Sequence, residues 1–450
     1  MTDAVLPFEP GRDRLLRLDS AVVLKRFFYV ERALVLACGG WVPAVHRVDT
    51  KELLGRAAWE DAMTAEALRQ RVFELHYPDR TLDVGSEQPL VTACEAALHA
   101  PSGAALLLAL ARLYVPAQGR AYEDYLSTSD DIADGPTRRF LEVACRDKAR
   151  QADEFAAATE AELTVRPDER APAEEWVANL GARLERVGGL TLEPPEAVDV
   201  EVVVAPGAPF ELAQTPARDE RYRVCSFYWP DTIDPSYPYG DGLRLQLRSA
   251  ISHLNEVWAA ETAGAILEGL ARPLGWEFVF DAARWLYDES RHMEMGRRRL
   301  EWWGLDPADV PLGTYIYEAC RGEDVIYRLG MLAFFETKNI GRKRERADAF
   351  GGLGDRTSQR DMDFDWADEA IHAGYGRRWL RRALEARGRD PATWPEVVSR
   401  CEELVRARVE RATADERAEI TAVADALVER AEAIAARRPN APSGADQHLA

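Results

Sequence analysis

The sequence feature that most limits how this chain can fold is a repeated Glu-x-x-His motif. One copy contains Glu289 and His292, and the other contains Glu369 and His372. Each copy lies in a segment whose apolar residues recur with helical spacing, so the two members of a pair share one face of a helix. A single pair is common on charged helices. Two copies predict two helices that present the same side chains to a common interior.

Each copy follows another helical segment in which a glutamate interrupts apolar residues. These glutamates are Glu261, in AAETAGAILEGL, and Glu336, in LGMLAFFETKNIG. The order is therefore Glu, Glu-x-x-His, Glu, Glu-x-x-His on four successive helices. This is the ligand set of a carboxylate-bridged dinuclear metal site in a four-helix bundle.

The residue types agree with that prediction, because two hard metal ions need anionic oxygen ligands to offset their charge. Four carboxylates and two imidazoles provide this and leave positions open for dioxygen or water. In the alternative interpretation, Glu289 and Glu369 lie on solvated faces and both histidines pack in the core. That alternative does not explain Glu261 and Glu336, since an unpaired carboxylate among apolar side chains is costly.

The first motif also resembles that of a known superfamily. Asp288–His292 reads DESRH, which resembles the [D/E]-E-x-R-H motif of ferritin-like diiron oxygenases, including bacterial multicomponent monooxygenases. From about His253 to Leu380 the chain more closely resembles a bacterial ferritin-like family of unknown function. The residues that carry this second resemblance are Glu256 and Glu261, Phe335–Glu336–Thr337, and His372, Gly376, Trp379 and Leu380.

The resemblance implies further roles for residues beside the ligands. Asp288 and Asp368 each precede a ligand glutamate, and each is expected to hydrogen-bond a histidine ligand on the partner helix. Arg291 is expected to pair with one of these outer carboxylates. The implied cofactor is a pair of iron ions, although a mixed manganese–iron pair suits the same ligands.

The first functional hypothesis is an oxygen-activating non-haem diiron oxygenase or oxidase that acts on a small organic substrate. Dioxygen would be the co-substrate, and a reductase or ferredoxin would supply electrons, because the sequence has no dinucleotide motif and no iron–sulfur cysteine spacing. The alternatives are an iron-handling or peroxide-scavenging protein like ferritin or rubrerythrin, and a non-enzymatic scaffold with a structural metal.

Composition excludes several other classes. The chain of 450 residues has a net charge of −20, which makes nucleic acid an unlikely partner. No apolar run approaches the ~20 residues of a membrane helix, and no secretory signal is evident. The six scattered cysteines lack a C-x-x-C pair, which favours free thiols in the cytoplasm.

The sequence predicts an all-α protein with tandem ferritin-like four-helix bundles. Residues 1–187 form a degenerate bundle, 188–242 a connector rich in Pro and aromatic residues, 243–388 the metal-binding bundle, and 389–450 C-terminal helices with a disordered tail. Two runs in the connector, residues 198–206 and 222–229, have β-type composition. The charged C-terminal helices are expected to be solvated or to form an oligomer contact, such as that of a homodimer.

The first half is interpreted as a copy of the second that has lost its metal. Glu31, Glu60 and Glu142 have nearly the same spacing as Glu261, Glu289 and Glu369, whereas Met63 and Cys145 stand where the second half has histidines. No metal is expected there, because a thioether and a thiol are poor ligands for hard iron. The alternative is that two all-α segments share these spacings by accident.

Overall fold

The computed structural model describes residues 15–78, 82–227, 229–230 and 240–437. It confirms the expectation of a mainly helical chain. The chain divides into two compact units, Met1–Trp41 with Ala57–Glu211, and Val42–Arg56 with Leu212–Ala450. The sequence predicted four segments, whereas the structure has two units. The C-terminal helices belong to the same unit as the predicted metal-binding segment, and the first unit ends inside the predicted connector.

The first unit is built from helices joined by short turns. They are α1 (Arg17–Trp41), α2 (Val48–Glu74, divided between the units after Arg56), α3 (Gln88–Glu95), α4 (Gly103–Ala109), α5 (Val115–Thr128), α6 (Gly135–Val165) and α7 (Arg170–Arg186). A π-helical turn, Leu110–Tyr114, connects α4 directly to α5.

The interior of the first unit contains buried charges. The Lys148 ammonium lies 2.8 Å from Glu31 Oε2 and 2.7 Å from Asp61 Oδ1. Tyr122 donates a hydrogen bond of 2.5 Å to Glu31. A buried carboxylate is tolerated when a cation and a hydrogen bond compensate its charge.

The proposed correspondence between the two halves holds for only some of these positions. Glu31 is buried, but Glu142 and Met63 are exposed and therefore do not face this interior. Glu60 is partly exposed and pairs with Arg150 at 2.7 Å. The duplication stays a prediction. The buried Glu31 belongs to a cluster with the Lys148 ammonium and the Asp61 carboxylate.

The second unit contains the helices of the predicted metal-binding bundle and the C-terminal helices. They are α8 (Gly242–Asn255), α9 (Val257–Gly269), α10 (Ala271–Leu274), α11 (Trp276–Trp303), α12 (Tyr315–Ala319), α13 (Ile326–Gly352), α14 (Arg356–Glu385), α15 (Trp394–Glu410) and α16 (Ala414–Arg437). The pair α8–α9 packs on α11, α9 packs on α13, and α13 packs along α14.

Two glycines allow these helices to approach closely. A Cβ atom at Gly296 of α11 would lie 2.4 Å from the Leu254 backbone nitrogen and 2.5 Å from the Ala250 carbonyl oxygen of α8. A Cβ atom at Gly376 of α14 would lie 2.7 Å from the Ala333 side chain of α13. Real side chains do not approach so closely, so these contacts require residues that lack a Cβ atom.

Only one of the two β-type runs in the predicted connector contains a strand. Residues 198–206 do not form a strand, and Val200–Val202 is a short 3₁₀ helix. Val224–Cys225 forms β1, which pairs in parallel with β2 (Leu312–Gly313), in the register Val224 to Leu312. The partner strand of β1 therefore comes from a distant part of the chain and not from the other β-type run.

Some expectations fall on positions outside the described ranges. These positions are residues 228 and 231–239 of the predicted connector and residues 438–450, where the disordered tail was predicted. Within the described ranges, none of the helices combines the length and apolar character needed to cross a bilayer.

Candidate metal centre

The two Glu-x-x-His motifs meet in the interior of the second unit. Glu289 and His292 lie on α11, Glu369 and His372 lie on α14, and all four are almost fully buried. Glu336 of α13 joins Glu289, Glu369 and His372 in a group whose ligand atoms all lie within 4.8 Å of one another. Such a group could hold one metal ion, and we call it the His372 side of the centre.

His292 lies at the centre of two further groups of the same kind. One contains His292 with Glu256 and Glu289, and the other contains His292 with Asp365 and Glu369. His292 Nδ1 lies 3.1 Å from Glu256 Oε2 and 3.5 Å from Glu289 Oε2. We call these overlapping groups the His292 side of the centre.

Glu261, predicted as the first-helix ligand, belongs to none of these groups. Its carboxylate lies 3.0 Å from Lys51 Nζ and also accepts a hydrogen bond from Arg218. The first-helix position is held instead by Glu256, at the one-residue break between α8 and α9. Five residues of α-helix rotate a side chain by about 140° from its start, so Glu256 and Glu261 point in different directions.

Each histidine is oriented by an aspartate of the other helix. Asp368 Oδ2 lies 3.3 Å from His292 Nε2, and Asp288 Oδ2 lies 3.2 Å from His372 Nε2. Because a carboxylate only accepts, each Nε2 carries the hydrogen and the neutral ring has its lone pair on Nδ1. These are the contacts expected from the family resemblance, and their role toward a metal stays a prediction.

Within the groups described above, four buried ligand-type atoms have no hydrogen-bond partner among the described residues. They are the Nδ1 atoms of His292 and His372 and the Oε2 atoms of Glu256 and Glu369. Unsatisfied buried polar atoms are rare and costly in proteins. Bound cations would satisfy these four atoms, so the donor set of the groups suits cations.

Two arginines hold the outer aspartates in place. Arg284 Nε lies 2.8 and 2.7 Å from the two carboxylate oxygens of Asp288, and its Nη2 lies 3.2 Å from Asp368. Arg291 Nη2 lies 2.6 Å from Asp368 and also contacts Asp288. Arg291 therefore makes the carboxylate contact expected for it, with both aspartates.

Comparison with models of known protein families gives a match over about half of the chain. Residues 199–422 match the model of a family described as "Protein of unknown function (DUF455)". The matched segment contains every residue of the centre described above. No curated protein and no solved structure matches the chain.

The pKa values in the centre show how its charges interact. Burial alone would raise the pKa of Glu289, but the two adjacent histidines lower it to about 2. Burial opposes the charge on His372, yet the neighbouring carboxylates of Asp288 and Glu289 raise its pKa to about 9. Burial, aided by the negative charge of Glu289, raises the pKa of Glu369 to about 8. Without metal, this site therefore retains protons near neutral pH.

The sequence analysis missed several polar residues of the centre. Asp365 lies one helical turn before Glu369 on the same face of α14, a spacing that could have revealed it. His253 Nε2 lies 3.0 Å from Asp365 Oδ2. No local pattern identifies His253, because its contact joins residues on different helices.

A small cavity of about 90 Å³ adjoins the centre. Its lining includes the ligand-type residues Glu256, Glu289, Glu336, Asp365 and Glu369. The remaining walls combine apolar and polar side chains, namely Trp258, Ala259, Ile316, Phe335 and Met362 with Ser249, Ser252, His253, Lys343 and Arg346. A small molecule in this cavity would lie directly beside the donor groups.

Proposed function

We propose that the second unit is a ferritin-like four-helix bundle that holds two iron ions. On this proposal the chain is an oxygen-activating non-haem diiron oxygenase or oxidase acting on a small organic substrate. The observation that carries it is the state of the two histidines. Each has its Nε2 hydrogen bonded to an aspartate and its Nδ1 facing glutamate oxygens without a hydrogen bond.

This arrangement needs a cation. A neutral imidazole with its hydrogen on Nε2 presents a lone pair at Nδ1, and a glutamate oxygen presents another. The two atoms lie only 3.1 Å apart for His292 and Glu256, and 3.2 Å apart for His372 and Glu289. A proton or a metal ion between them removes the repulsion, and imidazole with carboxylate is a ligand set that suits iron or manganese.

The His372 side and the His292 side share residues, and this overlap supports the binding of two neighbouring ions. Glu289 and Glu369 each belong to a group with His372 and also to a group with His292. These two glutamates would therefore be shared by two ions, and Glu336 would hold the ion beside His372 and Glu256 the ion beside His292. Bridging carboxylates reduce the repulsion between neighbouring cations, as two-metal sites require.

When bound, a pair of iron ions would supply the activation of dioxygen. The chain's own residues provide the environment. Asp288 and Asp368 keep both histidines in the metal-binding tautomer, and Trp258 and Phe335 form an apolar part of the cavity wall. Electrons would come from a separate reductase or ferredoxin.

Metal analysis of the purified protein tests the ligand assignment. The wild type loaded anaerobically with Fe(II) is expected to retain about two ions per chain, whereas Glu289→Ala and His372→Ala lose bound metal with unchanged helical circular dichroism. Glu277→Ala changes an exposed glutamate of α11 and serves as the control. Stoichiometric metal in both ligand variants would overturn the assignment.

A second experiment separates an oxygenase from an iron-handling protein. The iron-loaded protein is mixed with dioxygen, a chemical reductant and a panel of small organic molecules, and products are sought by mass spectrometry. Incorporation of ¹⁸O or a two-electron oxidation of an organic molecule supports the proposal. Accumulation of ferric iron alone, in a large cage-like assembly, supports iron storage instead.

A further inference from the structure

One buried cation already lies inside the donor set. Lys343 of α13 is only 6% exposed, and its ammonium lies 2.5 Å from Asp365 Oδ1 and 2.8 Å from Glu369 Oε1. These two carboxylates, with His292, form one of the groups on the His292 side. An ion that uses this group must therefore compete with the ammonium for two of the three ligands.

The His372 side carries no comparable obstacle. Of its members, only Glu369 contacts Lys343, and it does so through Oε1, while its Oε2 has no hydrogen-bond partner among the described residues. An ion beside His372 can therefore use the second oxygen of Glu369 without moving the lysine. The two sides of the centre are chemically unequal even though each has one histidine.

We propose that Lys343 makes the two metal sites bind in sequence. The ion on the His372 side binds first and tightly. The ion on the His292 side binds second and more weakly, because it must displace the Lys343 ammonium from Asp365 and Glu369 or bind beside its positive charge. This inference rests on the proposed dinuclear centre and assigns Lys343 the role of setting the affinity of the second ion.

The first unit shows the same pairing of a buried lysine with two buried carboxylates. Lys148 is 2% exposed and contacts two acidic side chains, Glu31 and Asp61, at nearly the same distances. An ammonium thus replaces an external cation as the partner of buried carboxylates. Lys343 differs because its carboxylates also lie beside a histidine that can bind metal.

Anaerobic calorimetric titration of the metal-depleted full-length protein with Fe(II) tests the proposal. The wild type is expected to show two binding phases. In Lys343→Met the dissociation constant of the weaker phase is expected to fall by about tenfold or more, while that of the tighter phase changes little. Lys338→Met makes the same substitution at an exposed position of α13 and is expected to match the wild type.

Two histidine variants assign the phases to the two sides. His292→Ala is expected to remove the weaker phase, and His372→Ala the tighter one. Lys343→Arg keeps the positive charge, so the affinity of the weaker phase is expected to stay close to that of the wild type. It also provides a measurement if Lys343→Met does not fold, since an arginine that leaves both phases equal and tight would overturn the proposal.

The outcomes distinguish the two proposals. If the wild type binds no metal, the dinuclear centre itself is wrong. If the wild type binds two ions but Lys343→Met leaves the weaker phase unchanged, or tightens both phases equally, the role of Lys343 is wrong and the centre stands. Electron paramagnetic resonance with Mn(II) provides an independent count, because a lone ion and a coupled pair give different spectra.

Discussion

Asp288 of α11 lies 3.2 Å from His372 of α14, although the two residues are far apart in the chain. The reciprocal contact joins Asp368 of α14 to His292 of α11 at 3.3 Å. The two helices therefore exchange equivalent aspartate–histidine contacts around the candidate centre. In each case the Glu-x-x-His pair of one helix is oriented by the residue that precedes the glutamate on the other.

The first prediction concerns this exchange. Asp368→Asn removes the anionic acceptor that holds the Nε2 hydrogen of His292, so the ring loses its preferred tautomer. Metal affinity is expected to fall about 10- to 100-fold, mainly for the ion beside His292. Asp363→Asn, the same change at an exposed position of α14, is the control. Equal affinities for both variants in an Fe(II) titration would show that the contact has no such role.

The second prediction separates Glu256 from Glu261. Glu256→Gln is expected to weaken binding of the ion beside His292. It should change the free energy of unfolding little, because Glu256 lies partly exposed at a helix break. Glu261→Gln is expected to retain metal but to lower the free energy of unfolding by about 3 kcal/mol, since Lys51 and Arg218 lose their buried anionic partner. Metal analysis and thermal unfolding measure both effects. The opposite pattern would restore Glu261 as the ligand.

The third prediction concerns pH. The pKa of Glu369 is raised to about 8 by burial, and that of His372 to about 9 by its carboxylate partners against the effect of burial. Both groups therefore hold protons at pH 7 in the metal-free protein, and a metal ion must displace them. Apparent affinity is expected to rise as the pH increases from 6 toward about 9. Calorimetry at pH 7 in two buffers of different ionisation enthalpy measures the released protons, and a buffer-independent heat would contradict the prediction.

The fourth prediction concerns the contact between α8 and α11. Gly296→Ala places a methyl group against the α8 backbone and is expected to cost about 1–3 kcal/mol of stability. It should also weaken metal binding, because α8 leads directly to Glu256. Gly341→Ala is the control, since a Cβ atom there meets nothing within 4 Å and alanine favours the helix. Equal unfolding temperatures for the two variants would show that the close contact is not required.

Much of the centre could be predicted from sequence because its signals are local. The three-residue spacing of Glu289 and His292, and of Glu369 and His372, places each pair on one helix face whatever the rest of the chain does. Glu336 was found for a related reason, since a carboxylate in an apolar helical run needs a compensating partner. The helical character of both halves followed from apolar periodicity in the same way.

The choice between Glu256 and Glu261 could not be made in this way. Both lie in one apolar region, and either would suit a ligand position. The break between α8 and α9 directs Glu256 toward His292, and Lys51, which comes from a distant part of the chain, compensates the charge of Glu261. The pairing of β1 with β2 was missed for the same reason, because its partner strand is remote in sequence.

The sequence by itself determined which side chains share a helix face, because helical geometry depends only on spacing along the chain. Tertiary structure decided which of those faces meet, which carboxylates are compensated by lysine or arginine, and which ligand atoms remain without partners. Asp365, His253 and Lys343 became part of the centre only through packing between helices. The physical reason is that burial and ion pairing arise from contacts between remote residues, and spacing along one helix does not record them.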